Sequence, residues 1–169
     1  MRLLKALTIA ALTAGVLAAA ATATVDRPPL EDGTLSIRDG RATIQLRMKG
    51  SLIGRLTKGQ IVVTDSPDAG ATIIVRGAES ERSLSDRTTV YSGRNIRFRI
   101  ADERTFVVRM NASKINLSAV GRGQGWLDGW GNRAAGVYFD GSFSLNGSPY
   151  KSIPDERDPI QLSALPSGG

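Results

Sequence analysis

The residues that could do chemistry are limited from the start, because the 169-residue chain contains neither histidine nor cysteine. The absence of imidazole removes serine–histidine catalysis and histidine metal sites. The absence of thiols removes thiolate nucleophiles, zinc–thiolate sites and disulfides. Carboxylates, hydroxyls and a surplus of basic groups remain, with 22 Lys+Arg against 16 Asp+Glu. We therefore expect no metal, no cofactor and a non-enzymatic chain.

A carboxylate pair is the main catalytic alternative, since two acids about 5 to 10 Å apart can hydrolyse a glycosidic bond. Asp128 and Asp140 are the best such pair. They are close in sequence to three rings that could stack on sugars, Trp126, Trp130 and Tyr138. Each acid also precedes a glycine, and Asp-Gly is a common turn dipeptide. Turn formation is the simpler interpretation, so a small carboxylate-dependent glycan hydrolase is the alternative function.

The stretch VGRGQGWLDGWGN, residues 120–132, holds five glycines. It lacks the third glycine and the following helix of a dinucleotide-binding loop, and it lacks the Gly-Lys-Ser/Thr of a phosphate loop. Alternation puts Gly121, Gly123 and Gly125 on the same face as Leu117. A strand with a bare inner face can bend, or let another backbone or an aromatic ring lie against it. The glycines therefore predict a bent strand.

The outward neighbours of these glycines are candidate ligand-binding residues. They are Arg122, Gln124, Trp126 and Trp130. Tryptophan and arginine offer large amphipathic contact surfaces and are enriched where proteins bind partners. The alternative is that the tryptophans close the end of a β core, with an indole N–H bonded within the chain.

A second candidate binding surface is an arginine stripe formed by Arg97, Arg99 and Arg109, which alternation puts on one strand face. Clustered guanidinium groups pair with phosphate or carboxylate groups, so the expected partner is an anionic cell-envelope polymer, a glycan or a lipid headgroup. Nucleic acid is not expected, because stacking aromatics are not interleaved with the arginines. The alternative is a solvated sheet face.

Period-two hydrophobicity indicates that strands position these residues. Between residues 43 and 57 the apolar face holds Ile44, Leu46, Met48, Leu52 and Leu56, and only Ile53 breaks the polar face. Eight to ten short strands are expected, including a hairpin over 95–110 and a tight turn at residues 140–141. The prediction is an all-β fold, a single antiparallel sandwich or small barrel with long glycine-bent strands. A β-solenoid is the alternative, because GSLIGRLTKGQI has the glycine spacing of short coils.

The chain divides into four predicted segments. Residues 1–23 have the basic start, apolar run and Ala-Thr-Ala end of a signal peptide. A short acidic linker over 24–33 precedes the all-β domain, 34–151, and a proline-containing disordered tail follows over 152–169. If the leader is cleaved, the chain has no integral membrane segment; if it is kept, it serves as an anchor. Export without cysteine favours a bacterial envelope or extracellular location.

Three segments in order resemble small exported β-rich proteins of high-GC actinobacteria. They are ATIIVRGAE, TTVYSGRNIRFRI and INLSAVGRGQGWLDG. The resemblance spans residues 34–150 and implies an exported single domain, without supplying a catalytic residue. Together with the residue types, it leads us to expect an exported, non-enzymatic β domain with a binding or structural role at the cell envelope. The oligomeric state is left open.

Overall fold

A computed structural model describes residues 31–66, 70–131 and 139–163 as seven strands of one antiparallel sheet. The strands are β1 (Gly33–Thr64), β2 (Thr72–Arg76), β3 (Ser80–Ser85), β4 (Thr88–Gly129), β5 (Ser142–Leu145), β6 (Lys151–Ser152) and β7 (Asp158–Leu162). The all-β prediction is confirmed. The sheet is not closed into a barrel, so the small-barrel form of the prediction is not the one adopted.

Two very long strands, β1 and β4, dominate this sheet. Leu46 of β1 pairs with both Val108 and Gly125 of β4, which are 17 residues apart along the chain. Because a strand offers one hydrogen-bonding edge on each side, an earlier part of β4 lies along one edge of β1 and a later part lies along the other edge. Both parts run antiparallel to β1. The two strands therefore form a ribbon rolled on itself, and several short strands predicted separately are parts of β1 and β4.

The alternation of apolar and polar residues explains which face of this ribbon turns inward. The apolar face of β1 is almost fully buried, at 0–1 % exposure for Ile44, Leu46, Met48, Leu52 and Leu56. The same period buries Ile96, Phe98 and Ile100 on β4, while Arg97 and Arg99 between them are exposed. Ile53 is 57 % exposed, as its place on the polar face predicts.

The hairpin predicted over residues 95–110 is wrong. Ile100 pairs with Leu52, and Phe106 pairs with Met48, so both runs follow one edge of β1 and do not pair with each other. The intervening residues form a bulge in which three residues of β4 lie opposite Lys49 alone. A hairpin turn and a bulge of this size favour the same polar residues, so the sequence of this segment fits both structures.

The domain also extends further toward the C terminus than predicted. β7 pairs with residues 123–127 of β4, and its Ile160 and Leu162 are buried in the core. The predicted disordered tail, 152–169, is therefore wrong for residues 152–163. Residues 164–169 lie outside the described residues, as do the predicted signal peptide, 1–23, and most of the linker. In the part of the chain that is described, no helix is long and apolar enough to cross a membrane.

Glycines mark the points where the ribbon bends and its backbones approach closely. Gly50 of β1 and Gly121 of β4 are paired and have φ angles of +118° and +146°. A Cβ on Gly50 would overlap the carbonyl oxygen of Val120, and a Cβ on Gly121 would overlap that of Lys49. At Gly54 the ring of Phe98 occupies the side-chain position, 2.6 Å from where a Cβ would lie. The prediction that bare inner faces admit a backbone or an aromatic ring is confirmed.

We expect Gly50→Ala to lower the free energy of unfolding by at least about 2 kcal/mol, because alanine adds both positive-φ strain and overlap with a carbonyl oxygen. Urea unfolding followed by circular dichroism measures this change. Gly70→Ala is the matched control, since a Cβ there meets no atom within 4 Å; it should change stability by less than about 0.5 kcal/mol. Equal effects of the two substitutions would contradict the close approach.

Candidate functional site

Three arginines lie directly opposite one another on the outer face of three neighbouring strands. Arg97 of β4 pairs with Arg76 of β2 at one edge and with Arg55 of β1 at the other. Directly opposed side chains have Cβ atoms about 4.5–5.5 Å apart, and like charges at that separation destabilise a sheet. The register thus creates a dense row of positive charge.

A second row lies two residues further along the same strands. Arg99 of β4 is flanked by Ile74 of β2 and Ile53 of β1. Both isoleucines are exposed, at 41 % and 57 %. Two apolar side chains therefore stand on the outer face beside the arginine row.

The two rows border a groove of about 540 Å³, which we call the arginine groove. Its walls carry Arg55, Arg76, Arg97, Arg99, Ile53 and Ile74. Its floor includes Phe98 and Leu117, reached beside Gly54, which has no side chain. This volume falls within the roughly 300–1,000 Å³ typical of small-molecule sites.

The four groove arginines form no ion pair in the part of the chain that the structure describes. Within residues 31–66, 70–131 and 139–163, the side chains of Arg55, Arg76, Arg97 and Arg99 make no hydrogen bond, ion pair or ring contact. No acidic side chain of the described residues lines the arginine groove itself, although Asp39 lies near Arg55 and Arg97 on its polar side. The groove therefore carries a net positive charge, which favours the binding of an anion.

The predicted arginine stripe is only partly correct. Arg97 and Arg99 are together in the groove, but Arg109 is not with them. Arg109 lies opposite Gln45 on one edge and Val62 on the other, which are ten residues before and seven residues after Arg55 on β1. Its Nη2 donates a hydrogen bond of 2.8 Å to Gln45 Oε1. Alternation correctly predicts that Arg109 points outward like Arg97 and Arg99, but it does not predict how far apart the three residues lie.

Two members of the groove, Arg55 and Ile53, were on the predicted polar face of β1 but were not recognised as site residues. Arg76 and Ile74 of β2 were missed as well. Alternation alone predicts that the Arg55 side chain points outward. Its position beside Arg97 follows only from the register of β1 against β4.

The candidate residues of the glycine stretch are separate from the groove, and most of them have internal partners. Trp126 carries the guanidinium of Arg157 over its ring at 4.0 Å. Trp130 donates its indole N–H to Thr43 Oγ1 at 3.3 Å. Arg122 makes an ion pair of 2.9 Å with Asp32 across exposed surface.

Gln124 is the member of this stretch that remains exposed without a partner among the described residues. It lies on β4 between Arg47 of β1 and Gln161 of β7. Residues 123–127 pair with β1 on one edge and with β7 on the other, so the stretch is a strand end and not a binding loop.

The two acids of the hydrolase alternative have different environments. Asp140 is 3 % exposed, and its Oδ2 accepts a hydrogen bond of 2.5 Å from the backbone N–H of Gly131. Its Oδ1 lies 3.2 Å from Arg41 Nε in an ion pair that is not aligned as a hydrogen bond. Asp128 alternates with buried Leu127 and therefore lies on the outer face.

The predicted hairpin turn at residues 140–141 is wrong, because the strand that follows, β5, pairs with β1 and β6.

No group of three or more acidic side chains among the described residues is arranged to hold a metal ion. Comparisons of the chain with protein-family models, with curated proteins and with solved structures found no match. The functional interpretation therefore depends on the geometry of the arginine groove.

We expect Asp140→Asn to lower the free energy of unfolding by about 1–2 kcal/mol, because the charge that faces Arg41 is lost. The contribution of this ion pair to the free energy of unfolding is modest, because the Arg41 side chain is 34 % exposed and is screened by solvent. Asp128→Asn is the control and should change stability by less than about 0.5 kcal/mol. Urea unfolding at pH 7 measures both; a larger loss for Asp128→Asn would contradict the structural role of Asp140.

Proposed function

We propose that this chain is an exported, non-enzymatic β domain that binds anionic polymer at the cell envelope through the arginine groove. The observation that carries the proposal is the row of Arg76, Arg97 and Arg55, opposed across three strands without an acidic partner among the described residues. A row of like charges costs stability, so the stability of the fold does not account for it, and this favours a role in binding.

The chemistry of guanidinium suits the proposed ligand class. Each group presents a planar set of N–H donors that pairs bidentately with phosphate or carboxylate oxygens. Arginines on neighbouring strands are spaced at about 5 Å, so one phosphate or two nearby acids can contact two of them. An anionic ligand would also relieve the repulsion within the row.

Two features distinguish this ligand from nucleic acid and from a hydrolysed glycan. Among the described residues, the groove walls carry no tryptophan or tyrosine on which bases could stack, and the aromatic residue that lines the groove, Phe98, is 3 % exposed. A hydrolase would need two acids in one cleft. Asp128 is on the outer face, and Asp140 is buried against Arg41, which gives that alternative no support.

We expect the double variant Arg55→Gln/Arg97→Gln to bind dextran sulfate about tenfold more weakly than the unmodified protein, because two of the four groove charges are removed. The matched control is Arg47→Gln/Arg109→Gln, which removes the same charge from exposed positions outside the groove. It should weaken binding by less than about threefold. Fluorescence anisotropy of labelled polymer at several salt concentrations measures both.

Affinity should fall as salt rises, since exposed charges are screened beyond a Debye length of about 8–10 Å. Equal losses in the two variants would indicate a response to net charge alone and would contradict a specific groove. Binding that is absent at low salt would contradict the proposal altogether.

A further inference from the structure

We infer that the arginine groove binds one class of anionic ligand in particular, a lipid molecule whose phosphate headgroup contacts the arginines and whose hydrocarbon chain lies across the isoleucines. This inference rests on the anion-binding groove of the proposed function and names an anionic amphiphile, in place of a polymer of sugars and acids, as the ligand that the groove fits best. It follows from the distribution of polar and apolar side chains about Arg55 and Arg97.

The first observation is the pair of exposed isoleucines. Ile53 and Ile74 occupy equivalent positions on either side of Arg99, and each exposes a large part of its side chain. A polyanion made only of sugars and acids has no use for these surfaces. An acyl chain does, because burying methylene groups is favourable in proportion to chain length.

The second observation is the apolar floor of the groove at Gly54. The core side chains Phe98 and Leu117 line the groove with 3 % and 5 % of their surface exposed. The Phe98 ring fills the position that a side chain at Gly54 would take, so the ring closes this floor and there is no opening into the core. A hydrocarbon chain that lies across the outer isoleucines can therefore rest on an apolar floor.

The third observation is that polarity changes across the arginines. A smaller groove of about 320 Å³ shares Arg55 and Arg97 with the arginine groove. Its remaining lining is mostly polar and includes Thr57, Asn95, Lys114 and one acidic residue, Asp39. Arg55 and Arg97 thus stand at the boundary between a polar groove and an apolar one. A lipid has a matching arrangement. Its phosphate lies between polar headgroup substituents and a hydrocarbon chain, so the phosphate would contact Arg55 and Arg97, the substituents the polar groove and the chain the apolar one.

The test compares dodecyl phosphate with butyl phosphate by isothermal titration calorimetry of the intact protein, below the micellar concentration. We expect dodecyl phosphate to bind at least about tenfold more tightly, with a negative heat-capacity change from apolar burial. Dodecyl maltoside, which carries the same chain without a charge, should bind at least tenfold more weakly than dodecyl phosphate.

The variant Ile53→Thr/Ile74→Thr keeps β-branched side chains on both strands and should reduce the chain-length preference to less than about threefold. Its affinity for dextran sulfate should be unchanged. Leu84→Thr is the control, since Leu84 is 56 % exposed on β3 and does not line the groove. It should leave both affinities unchanged.

Failure of the inference and failure of the proposed function give different results. If Arg55→Gln/Arg97→Gln weakens binding of both alkyl phosphates while chain length and the isoleucine variant have no effect, the amphiphile inference is overturned and the anion site stands. If the arginine variant changes neither the alkyl phosphate nor the dextran sulfate affinity, the proposed function is overturned as well. Equal loss in Leu84→Thr would also overturn the assignment of the chain to the groove.

Discussion

The close approach of two bare backbones, at Gly50 and Gly121, is the constraint on which the rest of the structure depends. Both residues have positive φ, and a side chain on either would overlap a carbonyl oxygen of the opposite strand. With no side chain to separate them, β1 and β4 can change direction together and roll until β4 meets both edges of β1. The roll satisfies backbone hydrogen bonds on both edges of β1 and buries one continuous apolar face. Two long strands therefore form most of the sheet, with few turns between strands.

Rolling also determines which outer residues become neighbours. Once the inner face is committed to the core, a one-residue slip would expose Leu52 and Phe98, so the register of β1 against β4 is strongly specified. That register leaves Arg55 beside Arg97, and β2 adds Arg76 to the same row. The positive row is therefore a consequence of core packing combined with the choice of arginine at outer positions. The fold accounts for where the charges lie, but not for why they are arginines.

The sequence predicts faces well and pairings poorly, and particular residues show why. Alternation correctly assigned Leu46 and Leu117 to the interior and Ile53 to the surface, because a side chain's face depends only on its own strand. Pairing depends on which segment lies alongside, and the same alternation fits any partner. The polar residues 103–105 therefore fit a hairpin turn as well as the bulge that they form. β7 was missed because its alternating Ile160 and Leu162 are only two apolar residues in a proline-containing segment.

The tryptophans and the arginine groove illustrate a broader difference between residue type and binding capacity. Composition favoured Trp126 and Trp130 as contact residues, yet the first is covered by Arg157 and the second bonds Thr43 and lies near Arg41. Arg38 is likewise placed over Tyr150, so several aromatic–arginine pairs hold strand ends and loops together. A side chain that already makes such a contact gains less from binding a ligand, because the ligand must replace the existing contact. Among the described residues, the groove arginines have no such partner, and exposed isoleucines lie beside them. The groove is therefore identified as a ligand surface by guanidinium groups and isoleucine side chains that have no partner among the described residues, more than by residue type.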